Sequence, residues 1–382
     1  MALVKPDSAR IAKIKVVGIG GGGGNAISSM IEDGVISGVE FISVNTDAQV
    51  LLNNKAPTKI QIGEKLTKGL GVGGNPEMGT QAAEESTEKL KDLFIDTDMV
   101  FITAGMGGGT GTGAAPVIAK LAKDAGALTV AIVTKPFHFE GTRRRVVAEE
   151  GIEKLTEVVD TSIVIPNQRL MDVIDRKMTL LEAFKVVDGV LGQAVHGIAE
   201  IITTPGLVNV DFADVKTIMA NAGTALLGIG TGVGENRSQM AARAAISSPL
   251  LDISIEGARG VLFNIAGGAD LTMFEVDEAA KIIASAADTD ANIIFGAVVK
   301  EDLVDQVRIT VIATGFDQTR SRIARMTKSP ALPIQGVVSE KPKEEEKLED
   351  NKEEQEVGQE NGSDEDPFGE KFEIPAFLRK IH

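Results

Sequence analysis

Residues 103–116 read TAGMGGGTGTGAAP and indicate the fold more strongly than any other part of the chain. Six of the nine residues from 105 to 113 are glycine. An apolar run that predicts a strand (99–103) precedes them, and a helical pattern (113–125) follows. Glycines let backbone N–H groups close around an anion, and the amino end of a helix adds a favourable partial charge. The stretch therefore predicts a phosphate-binding turn between a strand and a helix.

A second glycine cluster, residues 18–25, follows the predicted strand 14–18 and also opens a helix. Taken alone it matches G-x-G-x-x-G, and Glu40 lies near the spacing expected of a ribose-binding acid, so a Rossmann-type NAD(P)-dependent oxidoreductase is one alternative. Two such turns at the carboxyl ends of two strands could instead grip one polyphosphate from both sides. A P-loop nucleoside triphosphatase is excluded, because no G-x-x-x-x-G-K-[ST] motif occurs.

Outward from these clusters, short apolar runs alternate with helical patterns, which predicts an α/β fold with helices on both faces of a parallel sheet. An apolar stripe from Thr179 to about Thr203 predicts one long central helix, and a smaller α/β unit follows it. The predicted strands are 14–18, 40–44, 59–62, 99–103, 128–134, 161–165, 224–230, 260–266, 292–299 and 306–314. The predicted helices are 25–32, 76–94, 113–125, 143–159, 179–203, 211–221, 237–247 and 272–286.

The charge of the chain argues against nucleic acid as a partner. The formal net charge is −16, and residues 340–370 alone carry 14 acidic and 4 basic side chains. Such acidity repels a phosphate backbone. With no cysteine and only three scattered histidines, no protein-held metal cluster is expected. The first 15 residues lack a signal-peptide core and no stretch is expected to span a membrane, so we expect a cytoplasmic protein.

The glycine-rich run GGGTGTG (107–113) resembles the signature of the tubulin/FtsZ GTPase family. Its extension to TAGMGGGTGTGAAP is similar to the FtsZ branch rather than to tubulin. Further blocks of the same resemblance are NTD (45–47), GLGVGGNP (69–76), PF with EG (136–137 and 140–141) and NVDFAD (209–214). The resemblance covers about residues 14–316 and the terminal peptide. It implies a tubulin-like fold: a Rossmann-type GTP-binding domain joined by the central helix to a smaller α/β domain.

Five segments follow from the patterns and the resemblance together. Residues 1–178 form the N-terminal GTP-binding domain, 179–205 the central helix, and 206–316 the C-terminal domain that activates hydrolysis and supports polymerisation. Residues 317–370 are charged and poor in large apolar side chains, which predicts a disordered acidic linker. Residues 371–382 turn apolar again and form a partner-binding peptide.

The resemblance also implies which residues hold GTP or GDP together with Mg²⁺. Glu140 and Arg144, implied at the ribose, could equally be an ion pair on one helix, and Phe184 fits the apolar stripe of the central helix. Gly189 departs from the family pattern, in which Asn commonly follows the Asp. The implied phosphate contacts are Gly21, Gly22, Gly23, Gly24, Asn25, Gly109, Thr110 and Gly111; the implied ribose contacts are Glu140 and Arg144; and the implied guanine contacts are Asn167, Phe184 and Asp188.

The catalytic groups are implied by the NVDFAD block. Asp211 and Asp214 match carboxylates that polarise the attacking water, with Asn209 beside them. By sequence alone, Asp211 could simply cap the following helix. In the family these residues serve the nucleotide of the next subunit, so hydrolysis would occur at contacts in head-to-tail filaments. The implied role is the cytokinetic ring of a dividing bacterium; the alternative within the family is a plasmid-partition filament.

The terminal peptide differs from the acidic segment before it. Phe372, Ile374, Phe377 and Leu378 lie beside Arg379 and Lys380. A short apolar stretch in a polar tail can fold into the groove of a partner. It resembles the peptide with which FtsZ proteins bind membrane anchors of the FtsA, ZipA or SepF type. We therefore expect a cytoplasmic protein at the mid-cell ring that reaches the inner membrane only indirectly.

Overall fold

The structure is a computed structural model, and it describes residues 12–34, 38–171, 177–204, 206–248, 254–301 and 303–316. The predicted linker and terminal peptide lie outside the described residues, as does the start of the chain. The strands are β1 (Ile14–Ile19), β2 (Val39–Asn45), β3 (Thr58–Gln61), β4 (Met99–Gly105), β5 (Leu128–Lys135), β6 (Thr161–Pro166), β7 (Gly223–Val233), β8 (Gly260–Gly267), β9 (Asn292–Val299) and β10 (Gln306–Thr314).

The first six strands are parallel and lie in the order β3-β2-β1-β4-β5-β6. This is the strand order of a doubly wound Rossmann fold, in which the winding reverses between β1 and β4. Ligands of such sheets bind at the carboxyl ends of the strands at that reversal. The two glycine clusters follow β1 and β4, so the fold places them on either side of this point.

Helices cover both faces of the parallel sheet, as the continuous apolar strands predict. One face packs against α1, α9 and α10, and the other against α4 to α7. The helices are α1 (Gly20–Glu32), α2 (Ala48–Asn53), α3 (Glu64–Thr67), α4 (Pro76–Glu85), α5 (Thr87–Asp92), α6 (Thr110–Asp124), α7 (Thr142–Val158), α8 (Asn167–Leu170), α9 (Leu180–Thr203), α10 (Phe212–Met219), α11 (Arg237–Ile246) and α12 (Met273–Ala286).

The second half of the described chain continues the same sheet. β7 pairs in parallel with β6 over three residue pairs, and β10 lies between β7 and β8, antiparallel to both. β9 completes the edge in parallel with β8. α11 and α12 pack on these strands around a separate apolar core. The α/β class of both halves is confirmed, whereas the domain boundaries stay a prediction.

The predicted central helix is α9, which runs unbroken over 24 residues, or about 36 Å. It begins at a capping box, in which Thr179 and Glu182 bond each other's backbone N–H groups. From the sequence we expect no stretch long and apolar enough to cross a membrane. By length and composition alone, α9 is such a stretch, so that expectation is wrong. More than half of its most apolar window is buried inside the molecule, as in the core helix of a globular protein.

Two helices differ from the sequence prediction in ways that matter for the site. The predicted helix 76–94 is interrupted at Ser86 and forms α4 and α5; the Ser86 side chain accepts a hydrogen bond from Gly63 N. The helix predicted from Asn25 begins earlier, at Gly20, so the glycine run forms its first turns. Likewise, α6 begins at Thr110 inside its glycine run. α1 therefore includes its glycine run, whereas Gly107 to Gly109 form the turn between β4 and α6.

Candidate nucleotide-binding site

The amino ends of α1 and α6 lie side by side at the carboxyl ends of β1 and β4. Neither helix has a side-chain cap, and neither has an acidic residue in its first turn. The first N–H groups of a helix have no partner within the helix, and its dipole favours a negative charge there. Two uncapped helix ends at one point form a site for a polyanion.

The two glycine turns touch each other, which requires residues without a side chain. A Cβ on Gly20, whose φ is +73°, would lie 2.9 Å from the Gly111 nitrogen. A Cβ on Gly22 would lie 3.2 Å from the Gly105 Cα. Gly21, in contrast, has open space on its Cβ side and is exposed. The turns are therefore packed against each other behind a surface that a ligand can approach.

Residues 69–75 form a third loop beside the α6 turn. Gly109 N donates to Gly73 O at 3.1 Å. Asn75 ends the loop by capping α4, since its side chain accepts from the N–H groups of Glu77 and Met78. Asp47, the nearest acid after β2, caps α2 in the same way. This loop belongs to the sequence blocks quoted above, and it lies beside the predicted phosphate contacts Gly109 to Gly111.

The predicted guanine contacts come from α8 and α9. Asn167 is buried directly after β6, and its Oδ1 has no hydrogen-bond partner. Phe184 is partly exposed, and its ring meets Phe137 edge-on with centroids 5.6 Å apart. A buried carbonyl oxygen without a donor costs about 1–3 kcal/mol, so a ligand that supplies a donor would be favoured there.

Asp188 lies one helical turn beyond Phe184 on α9. Burial raises the pKa of its carboxyl to about 7. Desolvation is the one cause of this shift, which means that no described cation compensates the charge. A carboxylate in this position would accept from paired N–H donors, which guanine presents and adenine does not.

Glu140 and Arg144 form an ion pair with each other, at 3.2 Å. Glu140 is the more buried partner, and its other oxygen accepts from Phe137 N at 2.8 Å. The backbone of Arg144 lies against Gly107, because a Cβ there would be 2.6 Å from Arg144 O. Glu140 lies in the short turn before α7 and its side chain is only 11% exposed, so the two residues form an ion pair but not a solvated pair within one helix. The pair lies beside the α6 turn. Contact with ribose stays a prediction.

The predicted catalytic residues lie far from the glycine turns. α9 separates them, since Thr203 is about 28 Å along the helix from Phe184. Beyond it, α10 ends at the amino edge of the parallel sheet, where Asn221 N and Gly223 N donate to Asp160. The glycine turns lie at the opposite, carboxyl edge.

The predicted catalytic segment, residues 209–214, contains one polar side chain that forms a hydrogen bond within the described part of the chain and two that do not. The Asn209 side chain accepts from Gly206 N at 2.6 Å and shapes the loop before α10. Asp211 occupies the N-cap position of α10, but its side chain makes no capping bond, so the capping interpretation is wrong. Among the described residues, the exposed Asp211 and Asp214 carboxylates bond to no other group. They are available to a molecule outside this one.

Comparison with known proteins decides the family. The GTPase domain of the Tubulin/FtsZ family matches residues 13–175, and the C-terminal domain of the FtsZ family matches residues 223–317. A solved FtsZ point mutant from M. jannaschii is 50% identical with a TM-score of 0.77, over 81% of this chain and 92% of that chain. The chain belongs to the tubulin/FtsZ family.

Other solved members agree with this assignment. An FtsZ dimer from M. jannaschii, described as empty, is also 50% identical, with a TM-score of 0.76 over 80% of this chain and 88% of that chain. CetZ1 from Haloferax volcanii, a GDP-bound monomer, is 21% identical, with a TM-score of 0.69 over 83% of this chain and all of its own chain. CetZ2 from Haloferax volcanii, a GTPγS-bound protofilament, is also 21% identical, with a TM-score of 0.68 over 82% of this chain and 99% of its own chain. At that identity the CetZ proteins show the fold alone.

As a member of the tubulin/FtsZ family, the chain is a GTPase that binds GTP and GDP. That the nucleotide lies at the amino ends of α1 and α6 stays a prediction. The alternative of an NAD(P)-dependent oxidoreductase is therefore wrong, although the strand order is that of a Rossmann fold. The G-x-G-x-x-G match could not separate the two, because both use a glycine turn at a helix amino end. Roles of individual residues in this site stay predictions.

One polar contact in the family site was given no role by the sequence. Thr46 follows β2, and its Oγ1 lies 2.7 Å from the Oγ1 of Thr110, the first residue of α6. Nothing in the spacing of residues 46 and 110 indicates this contact, since it depends on β2 and β4 both flanking β1.

Proposed function

We propose that this chain is the subunit of a head-to-tail filament that hydrolyses GTP at the contact between subunits. The filament would form the cytokinetic ring at the division site of a prokaryotic cell. The observation that carries this proposal is the separation of the anion site from Asp211 and Asp214. In the part of the chain that the structure describes, the first turns of α1 and α6 carry no acid at one edge, whereas Asp211 and Asp214 are unpaired acids beyond the other edge.

Exposed apolar side chains support contacts at both edges. Leu70 and Phe139 belong to the loops around the nucleotide site and are 84% and 63% exposed. Leu207, which is 71% exposed, precedes the catalytic segment. Stacking one edge on the other would bury these side chains and bring Asp214 to the neighbour's terminal phosphate. Because the two surfaces differ, the contact repeats without closing, which produces a filament.

Mg²⁺ would be held mainly by the nucleotide. Among the described residues, no three His, Asp or Glu side chains gather into a metal site. Mg²⁺ commonly keeps several waters and binds substrate phosphates rather than an all-protein cage. Its part would be to neutralise charge on the phosphates, while Asp211 and Asp214 orient the attacking water.

The test is the GTPase rate per subunit as a function of protein concentration. We expect this rate to fall toward zero below a threshold concentration, because isolated subunits lack a complete site. Asp214→Asn should bind GTP normally and lose at least tenfold in turnover, whereas Glu149→Gln, which removes an exposed acid of α7, should match the wild type. A constant rate per subunit down to nanomolar protein would contradict the proposal.

A second test concerns the terminal peptide, residues 372–382. We propose that it binds a membrane anchor of the FtsA, ZipA or SepF type, and that the acidic linker keeps it extended. Truncation after residue 371 should leave GTPase activity and filament formation unchanged and abolish co-sedimentation with such an anchor. A truncated chain that still binds the anchor would move the contact to the folded part of the molecule.

A further inference from the structure

A buried pair of threonine hydroxyls joins strand β2 to the nucleotide site. Thr46 Oγ1 and Thr110 Oγ1 are 2.7 Å apart, a normal distance for a hydrogen bond between hydroxyls. Thr46 is fully buried and Thr110 nearly so. Thr110 is the first residue of the uncapped helix α6, and its Cβ would lie 3.5 Å from a Cβ on Gly20. The pair therefore lies where the two glycine turns meet.

The direction of this hydrogen bond follows from what else Thr46 can reach. A hydroxyl has one proton to donate and two lone pairs. In the part of the chain that the structure describes, the hydroxyl of Thr46 has Thr110 as its one partner. If Thr110 donated, the proton of Thr46 would be buried without an acceptor, at a cost of about 1–3 kcal/mol. With Thr46 as the donor, both hydroxyl protons can be satisfied once an acceptor lies at the amino end of α6, and we infer this direction.

This direction leaves the proton of Thr110 free. Thr110 accepts from Thr46 and keeps its own O–H for another acceptor, at a helix end that binds anions. An O–H that already accepts a hydrogen bond is a stronger donor, because bonds in a chain polarise one another. The bond also holds one of the staggered rotamers of the Thr110 side chain.

The backbone of Thr46 is fixed from both sides. Its N–H donates to Asn45 Oδ1 at 2.8 Å, and its carbonyl accepts from Thr67 Oγ1 at 3.3 Å. Thr67 begins the short link to the loop 69–75, whose Gly73 accepts from Gly109 N. Thr46 is thus held by the same loop that contacts the predicted phosphate-binding turn at Gly109.

From this geometry we propose that Thr46 is a positioning residue for nucleotide binding: it donates to Thr110 and thereby directs the Thr110 hydroxyl proton to a phosphate oxygen. The proposal rests on the proposed site for GTP. Thr46 itself does not touch the nucleotide. Its effect passes through Thr110, so removing Thr46 matters only while the Thr110 hydroxyl is present.

A double-mutant cycle tests this dependence, with the dissociation constant of GTPγS as the readout. Thr46→Val keeps the shape and removes the donor, and we expect it to weaken binding about three- to tenfold, in the range of one hydrogen bond. Thr46→Ser keeps the donor and should bind within twofold of the wild type. In a Thr110→Val background, Thr46→Val should add no further loss. Melting temperatures without nucleotide show whether each variant folds.

The outcomes separate this inference from the function on which it rests. If the wild-type protein did not bind GTPγS, the proposed nucleotide site itself would be wrong. Tight wild-type binding with an unchanged Thr46→Val variant would overturn the role of Thr46 alone. Equal losses for Thr46→Val with and without the Thr110 hydroxyl would also overturn it, because Thr46 would then act through general packing. If Thr46→Val does not fold, Thr46→Ser and Thr46→Ala take its place. The proposal then requires that Thr46→Ser binds GTPγS like the wild type and that Thr46→Ala binds it about tenfold more weakly.

Discussion

Asp188 shows how one side chain can tie nucleotide affinity to pH. Burial raises the pKa of its carboxyl to about 7, and the predicted contact with guanine donors requires the ionised form. As pH falls from 8 to 6, the ionised fraction drops about tenfold, since one pH unit on either side of the pKa changes the population from mostly charged to mostly neutral. A neutral carboxyl would point an O–H at a donor of the base and lose that contact.

We therefore expect GDP to bind about tenfold more weakly at pH 6 than at pH 8, measured by titration calorimetry. Asp188→Asn should weaken binding at pH 8 and remove most of this dependence, because an amide does not titrate. Any pH dependence of GDP binding that remains in Asp188→Asn comes from titration of the nucleotide phosphates. An equally steep profile in wild type and variant would mean that Asp188 does not contact the base.

At the scale of the residue, the sequence predicts which residue types lie in the site, and the structure shows which groups they contact. The resemblance implied Asn167 and Asp188, but the unpartnered Oδ1 and the raised pKa depend on neighbours that packing brings together. Asp211 illustrates the opposite case. Its place before a helix predicted a cap, and only the geometry shows a free carboxylate. Thr46 belongs to the NTD block, but its contact with Thr110 carried no sequence signal, because the two residues are 64 positions apart.

At the scale of the element, two of the three glycines of α9, Gly189 and Gly197, lie in different surroundings. Gly189 has open space where a Cβ would lie, whereas a Cβ on Gly197 would lie 2.8 Å from Cγ2 of the buried Thr310. Alanine in a helix interior is favoured over glycine by about 1 kcal/mol. At Gly197 that gain is opposed by overpacking, which costs about 1–3 kcal/mol.

The two substitutions are thus matched controls for each other. Gly189→Ala should raise the free energy of unfolding in urea by about 0.5–1 kcal/mol, and Gly197→Ala should lower it by about 1 kcal/mol. Both change the same helix by the same group, so intrinsic helix propensity cancels in their difference. Equal effects at the two sites would mean that α9 and β10 are less closely packed than the structure describes.

Element prediction succeeded where a pattern was local. The strands β9 and β10 have the predicted bounds, because each is an apolar run closed by turn residues. The helix predicted over 76–94 failed at Ser86, whose side chain bonds Gly63 N, 23 residues away. The starts of α1 and α6 were placed too late, since glycine is a poor helix former and only the packed turns hold it in that state.

At the scale of the whole molecule, a buried ion pair ties α9 to the second half of the sheet. Glu200 is buried on α9, and Lys300, directly after β9, donates to its Oε1 at 2.6 Å. Asn264 of β8 lies 3.4 Å from the other oxygen. The alternating patterns predicted both halves, but not this contact, which joins residues 100 positions apart.

Removing Lys300 should cost more than removing the whole pair. Among the described residues, Lys300→Met leaves the buried Glu200 with only Asn264 at 3.4 Å and the His196 ring at 3.8 Å, for which we expect a loss of about 3 kcal/mol in the free energy of unfolding. Glu200→Gln combined with Lys300→Met should recover most of that loss, because a neutral amide can keep the contact with Asn264 and no charge is stranded. Urea titrations at pH 7 of the wild type, the single variant and the double variant measure both values. If the double variant were as unstable as Lys300→Met, the loss would come from missing packing of the lysine stem rather than from a stranded charge.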